Sequence, residues 1–595
     1  MLRMVFKSNI FNAIIFIFTI IGIKMFLQKN LQALEFTNKP LQEKIASLKE
    51  ESFIDIFPSQ TPVVPSKEDL LKPNIFFCGI GEGLFLKKLI NKHIFIFDKC
   101  EFFANVLTKM DLSQELASGK IYLCDVEEKR LEEYLVLLFS QKDCFEYLGL
   151  FKLLPYSEFY NNSPMFDFVY QKCLDVIKRV VGNVDTSFTM DAKIYKQFLS
   201  NIPLVLKNTP FQRFIYENKG RNKSVIVVCA GPSLNKQLKL LKTCQDDYVI
   251  FALDATYKTL LKNEIYPDFV FSMDIYEECA SFYENLPQSK KEPIYIINAA
   301  VDKALMQILE NKNPKIFILK NLDYQQKFNL NDFGYLDIGI NVAHFAYNFA
   351  IALGFTNVIM IGQDLAFSDS GKSHADAANF TFRDEEKAQH DATKLNVLSY
   401  GKKGFIQTNI GWDEFRKRLE VLFLSHPNVK FYNATEGGAF IDYTIEIPFE
   451  KVLALYKDKK QDYVFPNVLS INRQEKLLKK SLEILQKDYL ELNALHQKAK
   501  DLLVILQNQN AVFDEQVSES IFDFNDLLDN VKILQSFMYK PLYYHRGFFN
   551  VSLYQESQNA LSSYADFLKI FLEFTALSLA SMENSINEYK NILKV

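Results

Sequence analysis

The stretch Ser224–Leu241, "SVIVVCAGPSLNKQLKLL", reads as a buried strand that breaks at Gly231-Pro232-Ser233 and restarts as a helix. Val225 to Val228 are β-branched throughout, Gly231 permits a sharp turn, and Ser233 suits a helix cap. Leu234, Leu238 and Leu241 then recur at helical spacing. A helix leaving a sheet in this way offers backbone N–H groups to an anion. The turn has too few glycines for a P-loop and lacks the Lys-Ser/Thr ending, so the alternative that it only redirects the chain stays open.

The same rhythm continues to about Tyr432. "YVIFALD", "DFVFSMD", "PIYIIN", "KIFILK", "NVIMIGQD" and "VKFYNA" are short, mostly two-sided apolar runs, the kind a parallel sheet buries on both faces. The pattern predicts a doubly wound α/β domain over 216–450. Ligands of such sheets bind at the carboxyl ends of strands, so the residues to watch are Gly231, Pro232, Ser233, Asp254, Asp274, Asn298, Gln363 and Asp364.

Before it, "NIFFCGIGEG", "HIFIFDKCE" and "KIYLCDVE" predict a smaller Rossmann-like α/β domain within 25–215. Gly79-Ile80-Gly81-Glu82-Gly83 with Asp98 has the form of a nucleotide or methyl-donor site. A scaffold without a working cofactor site is the competing reading. After about Phe449, apolar residues recur at three- and four-residue steps between charged faces, which predicts an all-α domain over 451–595. His496 and His545 there have no partner at useful spacing, and the region is assigned to partner recognition or oligomerisation.

A chain of 595 residues exceeds one core and fits about three to five domains. With 68 basic and 72 acidic residues and no basic block, nucleic acid is not an expected partner. The eight cysteines show no CxxC spacing and several lie in apolar runs, which suits free thiols in a reducing cytoplasm. Residues 10–23 form an apolar run short for a membrane span. The preferred reading places 1–24 upstream of a natural start at Met25; the other makes the run a weak membrane anchor.

"CAGPSL", "FALDATYKTLLKNEIYPDFVFSMD", "GINVAHFAYNFAIALGFTNVIMIGQDLAF", "GKSHADA" and "NVKFYNATEGGAFI", in this order, resemble the motility-associated factor (Maf) flagellin glycosyltransferases. The match covers most of residues 220 to 445. The order of glycine turn, strand-end acids and late strand also resembles bacterial sialyltransferases that use a CMP-activated nine-carbon acid sugar. The resemblance implies transfer of a nonulosonic acid, pseudaminic or legionaminic, from its CMP form to Ser/Thr of flagellin, in support of flagellum assembly and motility. CMP-sugar would be the donor substrate, flagellin the partner, with no tightly bound cofactor.

In the related sialyltransferases a Gly-x-Gly-Pro-Ser-Leu turn lies beside the nucleotide phosphate; here the turn reads Cys229-Ala230-Gly231-Pro232-Ser233-Leu234. Amides at Gly231 and Ser233 are therefore expected to face phosphate. His374, in the Gly/Ser/Asp-rich loop after Asp364, is the expected proton-transfer group, with His390 second and Asp364 positioning sugar or His374. Asp254 and Asn298 are expected on ribose or base, and Thr435, Glu436 and Gly437 closing the nucleotide pocket. Asp274 would bind ligand or cap a helix, and Asn341 is a candidate N-cap. No Asp-x-Asp pair or His/Cys cluster marks a metal site, so metal-independent transfer is expected and the metal requirement stays open. Two other readings remain: a pterin pyrophosphokinase-like phosphotransferase using the same turn, and a non-enzymatic flagellin-binding assembly factor.

Overall fold

A computed structural model describes residues 25–48, 62–83, 86, 89, 92–182, 189–375, 393–456, 460–507, 514–531, 534, 539–554 and 559–595. The segment 1–24 and His390 lie outside them. The chain divides into two compact units: unit 1 comprises Met1–Phe188, Ala499–Asn525 and Met538–Leu572, and unit 2 comprises Thr189–Lys498, Asp526–Phe537 and Glu573–Val595.

Unit 1 is built on a four-stranded sheet of β1 (Asn74–Cys78), β2 (His93–Asp98), β3 (Ile121–Asp125) and β4 (Leu153–Pro155), in the order β3-β2-β1-β4. All its pairings are parallel. Because side chains alternate along a strand, Phe76, Phe95 and Phe97 enter one core while Ile75, Phe77, Ile94 and Ile96 enter another. The helix Tyr539–Tyr554 adds Tyr543 to the first core. Its Arg546 donates to both oxygens of buried Glu146 at 2.6 and 2.7 Å, and Asn550 adds a third bond at 2.8 Å. A buried carboxylate needs such a full set of donors.

Unit 2 holds a nine-stranded sheet in the order β10-β9-β8-β7-β6-β5-β11-β14-β15. Its strands are β5 (Ser224–Val228), β6 (Val249–Leu253), β7 (Phe269–Ser272), β8 (Ile294–Asn298), β9 (Lys315–Lys320), β10 (Tyr335–Leu336), β11 (Asn357–Ile361), β14 (Lys430–Asn433) and β15 (Ile445–Glu446). Every pairing is parallel. An antiparallel hairpin of β12 (Lys394–Leu398) and β13 (Phe405–Asn409) stands apart from the sheet. The helices that bear on function are α1 (Leu234–Cys244), α2 (Asp254–Lys262), α3 (Val342–Ala352) and α4 (Ile410–Leu424). From β5 the sheet grows one way through β6 to β10 and the other way through β11 to β15. The crevice of this topological switch therefore opens at the carboxyl ends of β5 and β11.

The α/β class and the helical C-terminal region are as the sequence predicts. The division of the chain differs from the expected boundaries. The helix Thr189–Lys207 groups with unit 2, where Asn201 Nδ2 donates to the carbonyls of Ala299 and Val301 at 3.0 Å each. The C-terminal helices form no third body: Tyr543 and Arg546 tie one stretch into unit 1, and Tyr589 donates to the Leu199 carbonyl within unit 2. All eight cysteines are free and seven are buried. Among the described residues no helix is long and apolar enough to cross a membrane.

Candidate active site

The switch-point crevice is a cleft of about 380 Å³. Gly231, Asp254, Asp274, Asn341, Gln363, Asp364 and His374 all line it, so most of the expected strand-end groups do converge. Phe282, Trp412 and Phe415 supply aromatic wall.

The turn after β5 is locked from within. Gly231 N–H donates to the Gly362 carbonyl at 2.8 Å. Ser233 gives its N–H to the Asp364 carboxylate at 3.2 Å and its hydroxyl to Asp364 Oδ2 at 2.7 Å. A Cβ on Gly231 would lie 2.0 Å from Asp364 Oδ2, so only glycine lets the turn approach that acid. Two expectations are corrected here. Ser233 is already helical and its side chain does not cap α1. The Gly231 and Ser233 amides are taken by a carbonyl and a carboxylate, and Pro232 has no N–H, so the two amides expected to face phosphate are already bonded. Burial pushes the Asp364 carboxyl up to about 6 against the lowering effect of the Ser233 bonds.

His374 sits half-buried at the rim, with its Nδ1 2.9 Å from Ser373 Oγ and its ring edge-on to Trp412 at 6.3 Å. The loop is tied down by Ala375 N–H, which donates to the Ala230 carbonyl at 2.9 Å. Gln363 turns its Oε1 inward to accept from Tyr347 at 2.9 Å and from Cys229 at 3.0 Å. Asn341 caps α3 as expected: its Oδ1 accepts the His344 N–H at 2.9 Å and pairs with His344 Nδ1 at 2.8 Å. Burial holds His344 well below its ordinary value, at about 3, so it stays neutral.

Three expected ligand residues serve the backbone instead. Asn298 donates to the Met273 carbonyl at 2.9 Å and accepts from Ala300 N–H at 3.2 Å. Thr435 Oγ1 accepts the Gln363 N–H at 3.3 Å, holding β14 to β11. Glu436 accepts the Phe449 N–H at 2.8 Å, at the start of the helix Phe449–Leu455. None of the three lines the cleft; each bonds a main-chain group at a strand end or a helix start. Gly437 is likewise off the cleft wall, although a Cβ there would lie 3.6 Å from Asp364 Oδ1.

Trp412 escapes a search of strand ends because it enters from the first turn of α4, where its N–H donates to the N-cap Asn409 at 2.8 Å. Its one sequence signal is "TNIGW", a capping Asn followed by the chain's single tryptophan. Among the described residues no group of three or more His, Cys, Asp or Glu is arranged to hold a metal ion. Asp254 and Asp274 alone would need ligand oxygens to complete a coordination sphere.

In unit 1 the glycine motif is closed. A Cβ on Gly79 would meet the Tyr160 ring at 2.4 Å, and one on Gly81 the Tyr156 ring at 1.8 Å. Only about 10 Å³ remains beside them. Among the described residues, Gly79 and Gly81 of the motif seat these two tyrosine rings.

Residues 196–370 match the family described as 6-hydroxymethylpterin diphosphokinase MptE-like. An uncharacterized protein of Treponema pallidum (strain Nichols) is 25% identical over 118 residues, 20% of this chain and 56% of that relative's length. The solved structure of a Maf glycosyltransferase from Magnetospirillum magneticum AMB-1 superposes with a TM-score of 0.52 at 14% identity, covering 96% of this chain and 97% of that one. The chain has the fold of a Maf glycosyltransferase. The likeness extends over nearly the whole of both chains.

Proposed function

We propose that the protein is a glycosyltransferase that moves a nonulosonic acid from its CMP form to Ser or Thr hydroxyls of flagellin. The observation that carries this reading is the open cleft at the switch point of a Maf-type fold, with His374 on its rim and Asp254, Asp274 and Asp364 on its floor. In the reaction the bond between the anomeric carbon and the CMP phosphate oxygen breaks, and its electron pair leaves on the phosphate. The acceptor oxygen bonds to the same carbon, and its proton passes to His374 Nε2 or, through it, to the departing phosphate. Asp364 holds the β5 turn rigid beneath this site, and Asn341, with Oδ1 committed to His344, keeps Nδ2 as a donor for ligand. The aromatic wall of Phe282, Trp412 and Phe415 suits a flat base or the apolar face of a sugar. Incubation with CMP-pseudaminic acid or CMP-legionaminic acid and flagellin, read by intact mass, tests it. Flagellin heavier by one or more nonulosonic acid residues is expected, and unmodified flagellin with both donors would refute the assignment.

A second reading is favoured by Asp254 and Asp274 on one cleft in a segment that matches the MptE-like family, with phosphate oxygens left to complete a coordination sphere. Carboxylates so placed suit a Mg²⁺-dependent transfer of diphosphate from ATP to a hydroxymethylpterin. Calorimetric titration separates the two: CMP binding without Mg²⁺ supports sugar transfer, and Mg²⁺-dependent ATP binding without CMP binding supports diphosphate transfer.

A further inference from the structure

The locked turn leaves a question of charge. A CMP-sugar brings a phosphate and a sugar carboxylate into a cleft whose nearest glycine-turn amides are occupied, and whose floor carries three acids. Some group must donate to those anionic oxygens. Asp254 is placed to do so. It opens α2 at the carboxyl end of β6, is 3% exposed, and lines the cleft. Its Oδ1 accepts the Ala255 N–H at 2.8 Å, while Oδ2 is buried with no hydrogen-bond partner. The Ser272 hydroxyl beside it pairs with the Tyr283 phenol and, with the Ala255 N–H, acts to lower the carboxyl against the larger effect of burial.

The groups that face Asp254 add no positive charge. From the segment after β7 comes Asp274, and from the 3-10 turn Glu277–Tyr283 come Cys279 and Tyr283. Lys320, at the end of β9, acts on Asp274. A buried carboxylate facing a second acid is costly in its ionised form, and protonation removes that cost and supplies an O–H. Burial first, and Asp274 second, push this carboxyl up to about 8.

We propose that Asp254 is a neutral carboxylic acid in the working protein and donates a hydrogen bond from Oδ2 to an anionic oxygen of the ligand bound in the cleft. The inference rests on the reading of the cleft as a site for a phosphate-bearing ligand. It makes a sharp distinction between substitutions. Asp254→Asn keeps a donor at the same position and removes the titration; Asp254→Leu removes the donor. For the native protein, affinity is full below about pH 8 and falls up to tenfold for each pH unit above it, because the ionised form repels the ligand.

The test has a direct arm and a binding arm. Infrared difference spectra between the native protein and Asp254→Asn should contain a protonated carboxyl band at pH 7 that is lost at pH 9; no such band at pH 7 overturns the proposal. CMP and pyrophosphate are then titrated calorimetrically at pH 6.5 and 9 against native protein, Asp254→Asn and Asp254→Leu. The expected result is a pH-dependent native affinity, a pH-independent Asn variant within about threefold of native at pH 6.5, and a Leu variant at least tenfold weaker. An Asn variant that loses all binding marks Asp254 as an acceptor or metal ligand and overturns the donor role. Pyrophosphate binding with the expected pH pattern but no CMP binding upholds the donor and refutes the sugar-nucleotide reading. Absence of binding by both probes at both pH values refutes both.

Discussion

In unit 1, β1 runs into Gly79-Ile80-Gly81, and Asp98 at the end of the neighbouring strand accepts the Ile80 N–H and the Tyr160 hydroxyl at 2.9 Å each. In unit 2, β5 runs into the turn at Gly231, and Asp364 beyond the neighbouring strand accepts the Ser233 N–H and hydroxyl. Both acids are buried and both carboxyls are pushed up to about 6, by burial first. The junctions use the same parts, yet one is filled by Tyr156 and Tyr160 and the other opens onto a cleft of about 380 Å³. A glycine turn braced by a strand-end acid is thus a way of packing two loops closely. Whether it also binds a ligand depends on which side chains later segments lay over it.

The largest expected effect tests whether chemistry is confined to the open junction. His374→Ala should lower sugar transfer by about 10² to 10⁴ with CMP affinity retained, whereas Tyr160→Phe at the closed junction should leave transfer unchanged. Equal activity of the His374 variant would move the proton transfer to another group. Next in size, Tyr156→Ala should destabilise the protein by about 3 kcal/mol in denaturant unfolding, because it empties the space over Gly81. No second CMP site should appear. A loss below about 1 kcal/mol would show that the ring is not packed there.

A coupled pair of substitutions sharpens the contrast between the turns. Gly81→Ala should cost about 1–3 kcal/mol, part of it recovered in a Tyr156→Ala background, since the clash is with a side chain. In unit 2 the neighbour of Gly231 includes the Gly362 carbonyl at 2.5 Å from an added Cβ, so Gly231→Ala should find no such rescue in Asp364→Ala. Additive losses in the first pair would refute the seating of Tyr156 by glycine.

The smallest effect is one of pH. Asp98 and Asp364 have raised carboxyls, so the folded protein binds more protons than the unfolded chain between about pH 4 and 6. Their contribution to stability falls as pH rises through that window and is level above it. Thermal unfolding of Asp98→Asn and Asp364→Asn should show a shallower decline from pH 4 to 6 than the native protein, and an unchanged slope would contradict the burial argument.

The main strands of both sheets were legible because central parallel strands such as Val225–Val228 and Val358–Ile361 are apolar on both faces. The hairpin Lys394–Leu398 and Phe405–Asn409 was not, since its half-exposed residues carry no apolar run. In the site, Asp254, Asp274, Asp364 and His374 were legible as groups ending strands at a switch point or following one. Position could not distinguish them from Asn298, Thr435 and Glu436, which end strands too but bond to main-chain atoms. Nor does spacing disclose that Asp364, arriving from another strand, takes the donors of the Gly231 turn. That pairing joins residues 131 apart in sequence.

Trp412 gives the cleft an optical property. It is the chain's single tryptophan, set in the wall beside His374, among 29 tyrosines spread through the sequence. Light at the red edge of the absorption band excites indole and passes over phenol, so emission collected this way comes from one side chain in the cleft wall. A nucleobase stacking there would quench it, and the charge state of the neighbouring imidazole would modulate it. Occupancy of the site can therefore be followed in real time, in unlabelled native protein, before any product is formed.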